Sequence, residues 1–349
     1  MTTSHQKSQL TDPPTNLREA IDWLALVGGY GKNGSGMGIY IELGDALQKL
    51  QDFKDSTTKT FGKSYHPSSF IKNLVDKLGK GFLGYEAQGV YAFSGKGIVY
   101  GDPAMYKSTY YGASWEQSSV NDYAKIFLFL AVLIYYLITF LYWMCKSSDK
   151  WADKMVSDGG PLSKFFEAMG YRPQDEFKNG KSAKDVITAL DGNAGSQGSD
   201  AFPELQAACG SGNSASSSYS NFLTTLEANG SGDALLCPLT ACKRFSYAYL
   251  QSRYSGTDIT AAIDTVKGTL VNLSASGHGS NTNDFSPLTN RIKTLLNKIQ
   301  SFDPNSVPSP VAPLAGAVTT LTAAGGAGAA YGLNLFGFQG IVKALFGFK

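Results

Sequence analysis

Between Lys125 and Lys146 the chain reads IFLFLAVLIYYLITFLYWMC, twenty residues from Ile126 to Cys145 without a charge. At about 1.5 Å per residue, such a helix matches the roughly 30 Å hydrocarbon core of a bilayer. Twelve of the twenty are Leu, Ile, Val or Phe. At about −0.3 to −0.6 kcal/mol each, they supply roughly −5 kcal/mol toward membrane entry. The run must be buried, either in lipid or at the centre of a helical domain that encloses it.

Both readings have support in the residues. Lys146, Lys150 and Lys154 against Lys125 would place the C-terminal side of a span in the cytoplasm. Against a span, Tyr135 and Tyr136 sit mid-run, whereas tyrosines of a membrane helix concentrate near the interface. Tyr135, Thr139 and Tyr142 fall at i, i+4 and i+7, a stripe of hydroxyls able to bond to neighbouring helices. Ile126, Leu130, Leu133, Leu137 and Leu141 mark the helix in either case, as membrane or core residues.

The flanking sequence supplies helices to surround it. Thr15 or Asn16 can cap a helix over 16–27, in which Leu17, Ile21 and Leu24 share a face and Gly28 and Gly29 stop it. Ile41, Ala46, Leu47 and Leu50 predict a second helix, and Phe70, Leu74, Val75 and Leu78 a third over 69–79. From Lys80 to Trp115 glycines alternate with aromatics in no sustained period, which reads as irregular packed connection. Further amphipathic helices are expected at 162–169, 183–190, 219–227, 238–254 and 259–273. The clearest runs over 287–302, with Leu288, Ile292, Leu295, Leu296 and Ile299 on one face. Ser/Gly-rich stretches around 191–220 and 274–284 read as exposed loops.

Asp303 opens a proline-rich spacer over 303–313, followed by an uncharged Gly/Ala/Thr-rich stretch over 314–336 and a short tail over 337–349. That stretch is long enough to span but weakly hydrophobic. Gly328 and Gly332 have the i, i+4 spacing used in close helix packing within lipid.

Composition narrows the function. Thirty basic and twenty-eight acidic residues are spread along 349, with no basic block to neutralise phosphates, so nucleic acid is not an expected partner. The start carries no basic region followed by an apolar core, so no cleaved signal peptide is expected; residues 1–15 read as a flexible N-terminus. Lys63 and Lys181 follow glycines, but the first glycine of a phosphate loop is replaced by Thr57 and Asp175 respectively. His5, His66 and His278 are dispersed, and no nucleophile elbow or zinc helix is present. The expectation is no enzyme, no catalytic or metal site, no cofactor and no small-molecule substrate. Cys209 has a possible disulfide partner in Cys237 or Cys242, with free thiols as the alternative; the 237/242 pair would stand about 140° apart on a helix. Sequons at Asn33, Asn229 and Asn272 read as ordinary loop residues outside a glycosylating compartment.

Five blocks carry a family resemblance. They are LTDPPTNLREAIDWLALVGGYGKNG from Leu10, DYAKIFLFLAVLIYYLITFLYWMCK from Asp122, PLSKFFEAMGY from Pro161, CPLTA from Cys237 and PVAPLAGAVTTLTAAGGAGAAYGLNLFG from Pro310. In sequence and order they resemble the variant erythrocyte surface antigen 1 family of babesial parasites, most closely its alpha-type subunits. Typical members are longer and have a cysteine-rich middle that this chain lacks.

The resemblance implies a non-enzymatic membrane protein on the surface of the infected erythrocyte. It would act in antigenic variation and immune evasion, and in adhesion to a host endothelial receptor, with another family subunit as a further partner. The expected class is mainly α, a multi-helix ectodomain over 16–302 built round 126–145, with a C-terminal membrane helix at 314–336. Two alternatives remain open: a structural partner subunit that dimerises through the Gly/Ala-rich tail, and a membrane transport component. The second is disfavoured because neither apolar stretch holds an ionisable residue near its middle.

Overall fold

A computed structural model describes residues 6–29, 39–49, 67–88, 90–93, 98, 107–147, 155–177, 181–191, 202–209, 218–229, 238–243, 258–275 and 284–300. The protein is mainly helical. Its elements are α1 (Leu17–Val27), α2 (Tyr40–Lys49), α3 (Pro67–Gly81), β1 (Tyr85–Gln88), β2 (Val90–Phe93), α4 (Val120–Lys146), α5 (Pro161–Ala168), α6 (Pro173–Glu176), α7 (Ala183–Asp191), α8 (Pro203–Cys209), α9 (Tyr219–Asn229), α10 (Asp258–Ala275) and α11 (Ser286–Gln300). A further helical segment covers 238–243. The chain divides into Met1–Leu296 and Asn297–Lys349. Of the second unit only 297–300, the end of α11, is described, so the spacer, the 314–336 stretch, Gly328, Gly332 and the tail lie outside the described residues.

The axis of the first unit is α4. Its 27 residues take in the whole apolar run, and α1, α2, α7, α8, α9 and α10 all pack on it. Every residue from Ile126 to Cys145 is buried. Leu130 and Leu141 are fully enclosed, and Ile126, the most accessible of the five marked positions, is only 4% exposed. A helix that is apolar on all sides requires neighbours on all sides.

Helix ends follow local chemistry. Asn16 accepts the Glu19 amide at 2.9 Å, so it is Asn16 that caps α1, while the Glu19 carboxylate reaches back to the Thr15 amide at 2.7 Å. Ser182 and Asp185 exchange the same pair of bonds at the start of α7. Gly44 lets α2 cross α3 closely: a Cβ there would stand 2.7 Å from the Ser68 nitrogen.

Two expectations need correction, and one helix is added to those expected. The Gly/aromatic region contains an antiparallel hairpin pairing Tyr85 with Phe93 and Gln88 with Val90; its strands are four residues each, too short for a period-2 pattern to stand out. Between the Ser/Gly-rich stretches 191–200 and 210–220 lies α8, a helix not among the expected ones, whose Pro203 sits in the first turn, where a missing N–H costs nothing. The N-terminus is anchored from residue 6 onward. Lys7 and Leu10 donate amides to Thr109 and Ser114 at 2.8 and 3.1 Å, and the Trp23 indole donates to the Leu10 carbonyl at 2.9 Å. Polar sequence there is matched by backbone pairing, which composition does not reveal. Of the helix expected at 238–254, only 238–243 is described.

Candidate functional site

The hydroxyl stripe on α4 is where the sequence points to specific polar contacts, and the structure gives two of its three members a partner. Thr139 Oγ1 donates to the Tyr136 carbonyl at 3.0 Å and lies 2.8 Å from the Tyr219 hydroxyl of α9, which also reaches the Tyr136 carbonyl at 3.1 Å. One turn on, the Tyr142 hydroxyl donates to Asp191, the last residue of α7, at 2.7 Å. Lys146 stands 4.0 Å from the same carboxylate. Tyr135 has no hydrogen-bond partner for its hydroxyl, and the Lys243 ammonium, paired with Glu227, lies 5.6 Å from its ring centroid.

Around this stripe the core is aromatic. Tyr219 meets Phe140 edge-on at 5.3 Å and lies within 6.2 Å of the Trp143 and Phe222 rings. Phe140 touches Phe165 of α5, which touches Phe285 ahead of α11. Nothing in the sequence singles out Tyr219. It starts a helix directly after a Ser-rich stretch, and only its fit against Phe140 and Thr139 marks it.

A second polar centre lies at α1. Arg18 is 2% exposed, yet its guanidinium lies 2.9 Å from Glu176 and 3.9 Å from Asp22, and donates to the carbonyls of Lys107 and Gly170 at 2.8 and 3.3 Å. Asp22 in turn accepts the Thr109 amide and hydroxyl at 2.8 and 2.9 Å, and Glu176 accepts the Arg172 amide at 2.8 Å. Burying charges is tolerable here because each is paired and hydrogen-bonded. The cluster ties α1 to the 107–110 loop and to α6.

The chemistry these groups support is fastening. Burial pushes the Cys209 thiol up to about 11, despite Lys146 nearby, so at neutral pH it is a thiol and a poor nucleophile. Cys209 and Cys242 are both free, which removes a bond between them, and Cys237 lies outside the described residues. With Cys209 half-buried at the end of α8 and Cys242 buried in the 238–243 segment, the two thiols act as small apolar groups. His5, His66 and His278 all lie outside the described residues. Among the described residues no three His, Cys, Asp or Glu side chains gather as a metal site.

One helix among the described residues, Gln117–Lys146, is long and apolar enough to cross a membrane, and 94% of its apolar window is buried inside the fold. No family model, curated protein or solved structure matches the chain.

Proposed function

We propose that the chain is a non-enzymatic variant surface antigen of parasite-infected erythrocytes, acting in antigenic variation and immune evasion and in adhesion to a host endothelial receptor. In this reading, residues up to about 302 form the ectodomain, α4 is its core rather than its anchor, and 314–336 crosses the host membrane. A second family subunit is the expected partner in the membrane.

The observation that carries the proposal is where the resembling blocks fall in the fold. Block 10–34 supplies α1, block 122–146 supplies α4 and block 161–171 supplies α5. Arg18 takes the Met169 carbonyl through its amide at 3.0 Å, and Phe140 meets Phe165 at 5.9 Å. Segments distant in sequence that carry one family's likeness thus meet in one core. A scaffold of this kind tolerates change in the connecting stretches without loss of the fold, as antigenic variation requires.

Core placement of α4 is supported by its enclosure and by Thr139 and Tyr142, whose hydroxyls bond to α9 and α7. The test is surface proteolysis of intact infected cells, probed with antibodies to each half of the chain. Loss of both epitopes is expected, whereas protection of the whole chain would remove the surface assignment. Tags placed before Ile126 and after Cys145 should report the same side of the membrane; opposite sides would make α4 a span.

A further inference from the structure

Glu204, the second residue of α8, is 4% exposed and carries one of the least compensated charges in the core. One of its oxygens accepts the Leu239 amide at 3.1 Å. The other is buried without a hydrogen-bond partner. Leu239 is the second residue of the 238–243 segment, so the carboxylate sits where a capping group would, at a helical start. The segment it holds is sealed: Leu239 and Cys242 are fully buried, Thr240 and Ala241 nearly so, and the Thr240 hydroxyl also lacks a partner.

Burial weighs more on Glu204 than the attraction of the charges around it. Lys77 of α3 attracts its charge. Tyr135 of α4 and Cys242 of 238–243 both feel the charge of this carboxylate. Glu227 of α9 is paired with Lys243, whose ammonium lies against the Tyr135 ring. Asp191 of α7 is directed to Tyr142 and Lys146, and Cys209, at the end of α8, to that same group.

We propose that Glu204 is a proton-operated latch: protonated, it holds the 238–243 segment seated against α8 and α4, and on losing its proton it releases that segment and presents the Cys242 thiol to solvent. The seated state asks an anion to remain out of water with one oxygen unsatisfied, which is costly. The released state lets the carboxylate hydrate. Burial outweighs its own amide, the Leu239 amide and Lys77, and pushes the carboxyl up to about 7. Since the seated value lies above that of a solvated glutamate, the latch is fully closed in acid. It weakens as pH rises from the ordinary carboxylate range through about 7, and then levels off. The release is local, and it needs no loss of the α1–α4 core.

Hydrogen exchange on the full chain tests the latch. After correction for intrinsic exchange, protection of the 238–243 amides should fall on the order of 20-fold between about pH 5.5 and 8. Glu204→Gln keeps an oxygen for the Leu239 amide but has no proton to lose, so its profile should be flat and its Cys242 should resist alkylation at both pH values. A flat profile in the unsubstituted chain, or the same slope in Glu204→Gln, overturns the proposal. If the variant does not fold, a carbon-13 titration of the Glu204 carboxyl in the unsubstituted chain decides: a midpoint near neutrality supports the latch, and one below about 5 overturns it.

Discussion

Thr139 and Tyr219, eighty residues apart, bring their hydroxyls to 2.8 Å inside a shell of aromatic rings, each also in reach of the Tyr136 carbonyl. Tyr219→Phe keeps the ring contacts and removes one vertex of that triangle. It should cost about 1–2 kcal/mol, as does loss of a buried hydrogen bond. Thr139→Val should cost a similar amount, and the double variant less than the sum, because the two share one interaction. Urea denaturation followed by circular dichroism measures all three; additive losses would mean that the hydroxyls do not interact.

Arg18 neutralises two buried carboxylates at once. Arg18→Met preserves length and removes the charge, leaving Asp22 and Glu176 without it, and should cost about 3–5 kcal/mol. Glu176→Gln should cost less, since Asp22 still compensates the guanidinium. Equal losses in the two variants, read by the same denaturation, would show that packing rather than charge sets the cost.

Gly170 has φ +93, and a Cβ there would stand 2.6 Å from the side chain of Asn16, the cap of α1. Gly170→Ala combines backbone strain with a displaced cap and should destabilise by about 2–4 kcal/mol. Gly112, at φ +77 with nothing within 4 Å of where a methyl would stand, isolates the backbone contribution. Gly112→Ala should cost only about 1–2 kcal/mol in the same thermal melt. A Gly170 cost no larger than that at Gly112 would rule out the clash with the cap.

Asp185 accepts the Ser182 amide at 2.7 Å, and this bond first, with the Ser182 hydroxyl and Lys181 and Lys184, holds its carboxyl below the usual range. A lowered value means stability that is present above the ordinary carboxylate range and lost as pH falls through the depressed one. Asp185→Asn should therefore flatten the acid limb of the stability profile. An unchanged limb would assign acid sensitivity to other carboxylates.

How far the sequence reaches depends on the signal each element carries. Helices with three or more apolar residues on one face, such as α1, α3 and α11, are readable to within a few residues of their ends, because periodicity is a local property. Burial of 126–145 is also readable, since nothing else suits twenty uncharged apolar residues. Charged core residues are not. Arg18 and Asp22 look like the solvated side of an amphipathic helix until Glu176 and Thr109 arrive from elsewhere in the chain. Glu204 is hidden for the same reason: the Leu239 amide it accepts lies 35 residues further along the chain.

The order of elements along the chain sets a problem of timing. Four of the helices that pack on α4, namely α7, α8, α9 and α10, follow it in sequence, and the last ends about 130 residues beyond Lys146. At about 5–20 residues per second, the ribosome needs roughly ten seconds to make that stretch. Throughout that interval a helix long and apolar enough to cross a bilayer stands with only part of its packing in place. Until Tyr219 and Asp191 emerge, Thr139 and Tyr142 have neither of the partners that fasten α4 to α9 and α7. Slowing synthesis after Lys146 lengthens that exposure.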